Sequence, residues 1–447
     1  MARRPYAQAE VDFSRLTISS PKRAKSGVVS WQGFFPYYAG FPTSFAHDLI
    51  SSASLPDGAV VLDPWNGSGT TTFAASRLGY EGRGTDLNPV MIMVSRARLL
   101  PPSEASSIRP LARDILSKAS SAECTAQAGD PLLDWFVPSA AHGVRAIEVS
   151  LRTLLTDFAS EGLEDVELGE ISGIAATFYV ALFSVARDLA APLRSSNPTW
   201  IRRPKTNQEK IDVNQGELFD RFRSKCEEMA DALAAEAASR SLFEQGQGNV
   251  VVKVADTTRD RPFRRMADLV ITSPPYCTRI DYVASTRIEL SVLSPLMAAS
   301  ADDLSRSMIG STKIPAAKFR RSASFGTTCN EFLEKLRSHP SKASAGYYYK
   351  THVDYFRKMA SSLHNVAGSM KKRAAAVLVV QDSYYKEIHN DLPTIITEMA
   401  SFQGLNLVRR QDFRIRRTIA EFNRRAKKYR EGSEATEAVL CFSKASS

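Results

Sequence analysis

Short apolar runs closed by polar, glycine or proline residues alternate along this chain with longer stretches of helical spacing. Val60-Val61-Leu62 is an apolar run of strand type that stops at Asp63-Pro64. Thr70–Leu78 (TTTFAASRL) then carries helix-forming spacing, with Gly79 placed as its stop. A second strand is expected over Glu81–Thr85, ending in Asp86. Downstream, Val250–Ala255 predicts a strand ending at Asp256, and Asp268–Thr272 (DLVIT) predicts a buried one. Beyond it the pattern predicts a helix over Tyr349–Ser362, a strand over Ala375–Val380, a helix over Leu392–Phe402 and a strand over Leu405–Val408. A last strand is expected within Glu437–Lys444. Strands alternating with helices predict an α/β fold, a doubly wound, mostly parallel, Rossmann-like sheet.

Two stretches interrupt this alternation. Residues 101–249 are rich in helix formers and predict an inserted helical subdomain. The apolar run around Ala175–Leu193 inside it contains Arg187 and Asp188, so it reads as a buried helix and not a membrane span. A second, smaller insertion spans 293–346, where lysines and arginines stand among small residues, and predicts a basic loop. The expected organisation is a basic N-terminal arm (1–30), a cofactor half (31–100), the helical insertion (101–249), a catalytic segment (250–292), the basic loop (293–346) and a C-terminal half (347–447).

The 447 residues allow two or three domains, or one domain with large insertions. A formal net charge of +10 favours a polyanionic partner, nucleic acid before an anionic membrane. The five cysteines are scattered, with no CxxC pair and no histidine cluster beside them. That pattern speaks against a zinc site or a disulfide framework and fits a reducing compartment. The first residues lack the apolar core of a signal peptide, so the expectation is a cytoplasmic protein without a membrane span or a metal.

The turn Asn66-Gly67-Ser68-Gly69 suits three ligands. A nucleotide phosphate asks for GxxxxGK[ST], and here Gly69 is followed by Thr70 and Thr71 with no lysine. A dinucleotide asks for GxGxxG; Gly67 and Gly69 supply two glycines, but Thr72 stands at the third place. S-adenosylmethionine needs neither the lysine nor the third glycine. It needs close backbone approach, which Gly67 and Gly69 permit, and an acid for its ribose hydroxyls, which Asp86 supplies.

The second motif is Ser273-Pro274-Pro275-Tyr276, at the end of the DLVIT strand, where two prolines stiffen the turn. Together, DPWNGSGTT and SPPY resemble the signature of DNA methyltransferases that methylate an exocyclic amine, cytosine N4 or adenine N6. The resemblance implies S-adenosylmethionine as cofactor, held by the Asp63-Pro64-Trp65 segment, Gly67, Gly69 and Asp86. It places Trp65 where the family usually has phenylalanine. Phe34–Ile50, with Tyr38, resembles the segment that closes the methionine side of the pocket, and Asp256 is placed at the adenine end. Ser273, Pro274, Pro275 and Tyr276 are the implied catalytic residues: acceptors for the amine hydrogens and a ring to stack on a base flipped from the duplex. Serine at the first position leans toward cytosine N4; adenine N6, an RNA substrate and a non-catalytic DNA-binding protein remain open. The cofactor motif precedes SPPY, which excludes the layout in which the catalytic turn comes first. Cys277 is read as packing and not as a nucleophile. A cognate restriction endonuclease is implied by the resemblance alone.

Double-stranded DNA is the expected partner, and three stretches are candidates for contacting it. Ser195–Lys210 holds Trp200, Arg202 and Arg203; the second insertion holds Lys318, Arg320 and Arg321. Arg409–Gly432 holds ten lysines and arginines against three acids, among them Arg416, Arg417, Arg424 and Arg425. So one-sided a run, between two adjacent strands, is expected to project from the sheet end and meet phosphates. The segment 101–249 is the candidate target-recognition subdomain.

Overall fold

The computed structural model describes residues 10–22, 34–35, 40–122, 126–156, 168–194, 201–239, 248–277, 282–314, 320–415 and 435–445. Its centre is a seven-stranded sheet of β1 (Val60–Asp63), β2 (Glu81–Asp86), β3 (Val250–Val254), β4 (Ala267–Thr272), β5 (Met370–Gln381), β8 (Leu405–Ile415) and β9 (Ala435–Lys444). The spatial order is β3-β2-β1-β4-β5-β9-β8. The first five strands run parallel; β9 is antiparallel to both β5 and β8. The chain therefore leaves β1 toward β2 and β3, then returns to lay β4 on the other side of β1. That reversal is the switch point where a doubly wound sheet opens a crevice at its carboxyl ends. The sheet is the α/β, mostly parallel one that the sequence predicts.

Alternating strand residues feed two faces. Val61, Leu269, Ile271, Val377, Val379 and Val439 pack against α1 (Thr43–Ser52), α2 (Thr70–Arg77) and the N-terminal Val11, Leu16 and Ile18. Leu62, Val270, Leu378, Val380, Leu440 and Phe442 pack on the other face. There they meet helices α10 (Thr327–Ser338), α11 (Tyr349–Ser369) and α12 (Leu392–Ser401). Period-two alternation with both faces covered explains why these strands read as nearly continuous apolar runs.

The stretch expected as an inserted subdomain folds as α4 (Ala105–Ser121), α5 (Pro138–Leu155), α6 (Gly173–Leu189) and α7 (Gln215–Ser239). It does not stand apart. Its buried residues form one continuous cluster with α3 (Pro89–Arg98) and α8 (Arg287–Leu293). Buried polar bonds staple it to the chain beyond the SPPY turn. Arg145 pairs with Asp130 at 2.9 Å and Glu148 at 3.1 Å and donates to the carbonyls of Ser291 and Val292. Arg187 pairs with Glu289 at 2.6 Å. The second insertion, expected as a loop, is largely helical where described, with α9 (Ala301–Ser307) and α10 within it.

Strand β8 runs well past Val408, through Arg409, Arg410 and Arg414, so the basic run begins inside the sheet. It is an edge strand, paired only with β9 among the described residues, and an edge tolerates charged side chains that a central strand does not. Residues 416–434, with Arg416, Arg417, Arg424 and Arg425, lie outside the described residues. A short hairpin, β6 (Ser383–Tyr385) and β7 (Ile388–Asn390), follows β5.

One carboxylate joins the two sides of the switch point. Asp63, at the end of β1, is buried. Its Oδ1 accepts from Thr272 Oγ1 at 2.5 Å and Trp65 N at 3.1 Å, and its Oδ2 accepts from Thr71 Oγ1 at 2.7 Å. Desolvation by burial raises its pKa to about 6 against the opposing pull of those donors. Asp63→Ala removes the acceptor of the buried Thr272 hydroxyl and the part-buried Trp65 N–H and the better of two acceptors of Thr71, and is expected to cost about 2–4 kcal/mol in urea unfolding. Asp63→Asn, which keeps one acceptor, should recover part of that; an Asp63→Ala variant as stable as the parent would disprove the tie.

Candidate active site

Both sequence motifs open into one cleft at the carboxyl ends of β1, β2 and β4. Its lining includes Asp63, Trp65, Asn66, Gly67, Asp86 and Asp256 on one side and Ser273, Pro274, Pro275 and Tyr276 on the other. The space is about 930 Å³, its open mouth included.

The glycine turn is built by close approach. Gly67 and Gly69 have φ of 48° and 78°, the left-handed region that disfavours a side chain. A Cβ on Gly69 would stand 2.7 Å from the Cβ of Ser95 in α3. A Cβ on Gly84, in β2, would meet the Asn66 side chain at 2.6 Å, so this strand glycine is what lets Asn66 lie flat on the sheet. Asn66 also accepts from Thr72 Oγ1 at 3.0 Å, while its buried Nδ2 has no partner. Arg98 holds the turn from behind, donating to Thr70 Oγ1 at 3.1 Å and to Thr43 Oγ1 at 2.6 Å.

Asp86 is half-buried at the end of β2. Its oxygens accept from Gly67 N at 2.9 Å and Asn88 N at 2.8 Å. Burial outweighs those two bonds and raises its pKa to about 6. S-adenosylmethionine fits these residues: the turn leaves its backbone uncovered for the amino-acid end, and a ribose diol brings the donors that this desolvated carboxylate lacks. Asp256 takes two roles. It caps the turn after β3, accepting from Thr258 N at 2.9 Å and Thr258 Oγ1 at 2.7 Å, and it lines the cleft beyond Asp86. Tyr38 lies outside the described residues; from the same segment, Gly40 and Phe41 line the cleft.

At the SPPY turn, Ser273 Oγ donates to Val379 O at 3.2 Å, which leaves its lone pairs for an incoming N–H. The turn is clamped by two tyrosines. Tyr355 donates to Pro275 O at 2.7 Å, and the Tyr282 hydroxyl accepts from Tyr276 N at 3.3 Å. Tyr276 donates its own hydroxyl to Glu437 Oε1, 3.2 Å away on β9. Burial, then the Glu437 charge, pushes the Tyr276 phenol far up, so it stays protonated. Cys277 is buried with its thiol pushed up to about 12, so no thiolate is on hand beside the turn.

Tyr282, Glu437, Asn88, Met308 and Arg98 are site residues that the sequence reading missed. Only Asn88 carries a local signal. It is the helix cap in Asn88-Pro89, bonded to Val90 N at 3.1 Å, directly after the strand-ending acid. Tyr282 and Met308 reach the cleft, and Arg98 and Glu437 back its turns, through long-range packing.

The candidate DNA contacts lie outside the cleft. Arg202 pairs with Glu209 at 2.5 Å, Arg203 with Asp134 at 3.3 Å and Arg321 with Glu334 at 2.7 Å; Arg320 is exposed. Arg203 is close enough to help lower the Asp302 pKa, after the larger effect of Lys313. Asp302 belongs to α9, whose last residue, Ser307, lines the cleft. Trp200 and Lys318 fall outside the described residues. Among the described residues no group of three His, Cys, Asp or Glu is placed to hold a metal, and no helix is long and apolar enough to cross a membrane.

Residues 11–95 match the family model for DNA methylases. Over 78 residues the chain is 32% identical to the Type II methyltransferase M.BsoBI of Geobacillus stearothermophilus, which covers 17% of this chain and 15% of that protein. The chain thus matches under a sixth of its curated relative's length. Among solved structures, the rRNA methyltransferase aviRa of Streptomyces viridochromogenes aligns over 97% of this chain and 95% of its own at 11% identity and a TM-score of 0.27. A variant of the 16S rRNA (adenine(1408)-N(1))-methyltransferase of Catenulisporales acidiphilia, with its cosubstrate SAM, aligns over 49% of this chain and 71% of its own. The identity there is 11% and the TM-score 0.20. At such scores these likenesses carry nothing, and the fold is read from the strand order itself.

With Asp86 as the expected acceptor for the ribose hydroxyls, its raised carboxyl would give cofactor binding a pH dependence. Ribose donors favour its ionised form, so binding releases a proton near pH 6 and affinity rises with pH across that value. Calorimetry with S-adenosylmethionine should find binding roughly tenfold weaker at pH 5 than at pH 7. Asp86→Asn should be weaker throughout and flat with pH; a flat profile in the parent protein would remove Asp86 from the cofactor site.

Proposed function

We propose, of a chain whose residues 11–95 match the DNA methylase family model, that the protein transfers a methyl group from S-adenosylmethionine to the exocyclic amine of a base flipped out of duplex DNA, cytosine N4 before adenine N6. One observation carries this reading: the glycine turn with Asp86 and the SPPY turn open into the same cleft, across the switch point between β1 and β4.

Bound beside Asp86, S-adenosylmethionine supplies an electrophilic methyl group. The chain's own residues do the rest. An exocyclic amine is a poor nucleophile because its lone pair is delocalised into the ring. Ser273 Oγ and Pro274 O each accept one amine hydrogen, which favours a tetrahedral nitrogen and directs its lone pair. Tyr276 supplies a ring face for the flipped base, and the clamps from Tyr355 and Tyr282 keep the turn from moving. Such catalysis consists of positioning and preorganised dipoles. The neutral, buried Cys277 disfavours the alternative of a covalent attack on a ring carbon.

DNA would reach the cleft over the surface that carries Arg202, Arg203, Arg320 and Arg321, with Trp200, Lys318 and the 416–434 run as further contacts. Exposed arginine–carboxylate pairs are worth only about 0.2–1 kcal/mol each, so a phosphate can replace the carboxylate at little cost. The serine at position 273 favours cytosine. Target reading by the 101–249 segment, a cytoplasmic location and a cognate endonuclease sharing the recognition site complete the proposal.

Incubation with S-adenosylmethionine and unmethylated DNA of mixed sequence, digestion to nucleosides and mass spectrometry should give N4-methylcytosine. N6-methyladenine would keep the mechanism and change the base. Methylation of RNA alone, with DNA left unmodified, would overturn the DNA reading. Ser273→Ala and Tyr276→Ala should each lose at least about 10²-fold in turnover while binding cofactor normally. Near-parental turnover by both would refute these roles.

A further inference from the structure

Methylation of an amine leaves a proton to remove, and the roles assigned to Ser273 and Pro274 do not say where it goes. We infer that Glu437, reached through the hydroxyls of Ser273 and Tyr276, is the residue that receives it. This rests on the methyltransferase reading and extends it to a residue on the far side of β5.

The path is a row of polar atoms in a dry wall. Ser273 Oγ donates to Val379 O at 3.2 Å and is near enough to the Tyr276 hydroxyl to pull its pKa down, so the path needs the serine hydrogen to turn from the carbonyl to the phenol. Tyr276 in turn donates to Glu437 Oε1 at 3.2 Å. Glu437 sits near the start of β9, in register with Gln381 of β5 and Phe413 of β8, and is only 7% exposed. A carboxylate that shielded, with no ion pair on it among the described residues, is costly to keep as structure alone. Its pKa is raised, chiefly by desolvation, against the Tyr276 bond and the charge of Lys22. That brings it toward neutrality, where a proton acceptor works best.

The balance is simple. The amine nitrogen gives its lone pair to the new N–C bond as the S–C bond breaks and leaves its pair on sulfur. One N–H bond then breaks, its pair staying on nitrogen. That proton passes to Ser273 Oγ, the serine proton to Tyr276 Oη, and the tyrosine proton to Glu437 Oε1. No oxidant or metal is required.

Other charged groups surround Glu437. Lys22 approaches from the N-terminal segment. Asp382, at the end of β5, accepts from Thr436 N at 2.8 Å and pairs with His389 of β7 at 2.9 Å. Arg414 follows Phe413 on β8. Tyr282 stands behind the Tyr276 ring. Of these, His389, bonded to Asp382, is another side chain able to carry a proton and must be separated from Glu437.

Glu437→Gln keeps an acceptor for Tyr276 and removes the base. It should lower kcat about 10²-fold with both KM values within about twofold at pH 7, and abolish the acid-side fall of kcat measured at saturating S-adenosylmethionine, where the Asp86 effect on cofactor affinity drops out. Tyr276→Phe should match it, and the double variant should be no slower than either single one. His389→Gln should keep the acid limb. An unchanged kcat, or a lower kcat with the acid limb intact, would mean that Glu437 only holds the ring, and would overturn the proposal. Infrared difference spectra of the free protein against Glu437→Gln give a readout that needs no turnover. The carboxyl band should persist to a higher pH than an ordinary glutamate allows, and its loss in the ordinary range would also overturn the relay. A parent protein that methylates no base, yet shows the raised band, would sink the methyltransferase reading instead.

Discussion

The carboxylate of Asp63 is the constraint on which the site depends. It ends β1, yet it binds Thr272 at the end of β4, 209 residues away, as well as Thr71 in the first turn of α2. The glycine turn and the SPPY turn come from distant parts of the chain and carry different chemistry. Their separation has to be right to within a fraction of an ångström for one to serve the other. Parallel pairing of β1 with β4 sets the coarse distance. Asp63 sets the fine one, at the cost of desolvating an acid that the fold offsets with three donors.

Charge in this protein is sorted by depth. The chain carries a formal net charge of +10, yet the cleft is lined by Asp63, Asp86 and Asp256, with Glu437 behind it. The candidate DNA-contacting arginines Arg202, Arg203 and Arg321 lie outside it, on surfaces where they pair weakly with carboxylates. Each arrangement suits a different part of a nucleic acid. Exterior cations attract phosphates from a distance and hold them loosely. Desolvated interior acids accept from neutral hydroxyl and amine donors, where direction matters more than charge.

Much of this was legible in the sequence because it is local. Short strand segments ending in Asp63, Asp86, Asp256 and Ser273, three of them apolar, marked four strands and their chemical ends at once, since in a doubly wound sheet the strand end and the cleft coincide. The glycines of the turn declared themselves by spacing. What stayed hidden is tertiary. Glu437 lies in an apolar strand whose register with β5 only the folded sheet reveals. Tyr282 and Tyr355 act through hydroxyls that reach across the turn, and nothing in their flanking residues signals that. The basic stretch after Val408 read as a projection because charge masked its strand character, which an edge position tolerates. The helices of 101–249 read as an insertion because their composition changes, whereas their apolar faces complete the layer begun by α3.

That layer explains why so much polar bonding is buried far from the chemistry. Arg145 and Arg187 tie α5 and α6 to the 285–292 stretch, which follows directly on Tyr282. On the opposite side, Lys358 of α11 pairs with Asp354 and donates to the carbonyls of Arg306 and Met308, holding the residues that wall the cleft. Buried ion pairs seldom add net stability over apolar packing, because desolvation offsets their attraction. Their benefit here is geometric. An apolar contact tolerates sliding, while an arginine bonded to two carbonyls and two carboxylates fixes both orientation and register. A site of the proposed kind, which would hold an amine, a ring and a cofactor in line, gains little from a tighter core, but it gains directly from walls that do not move.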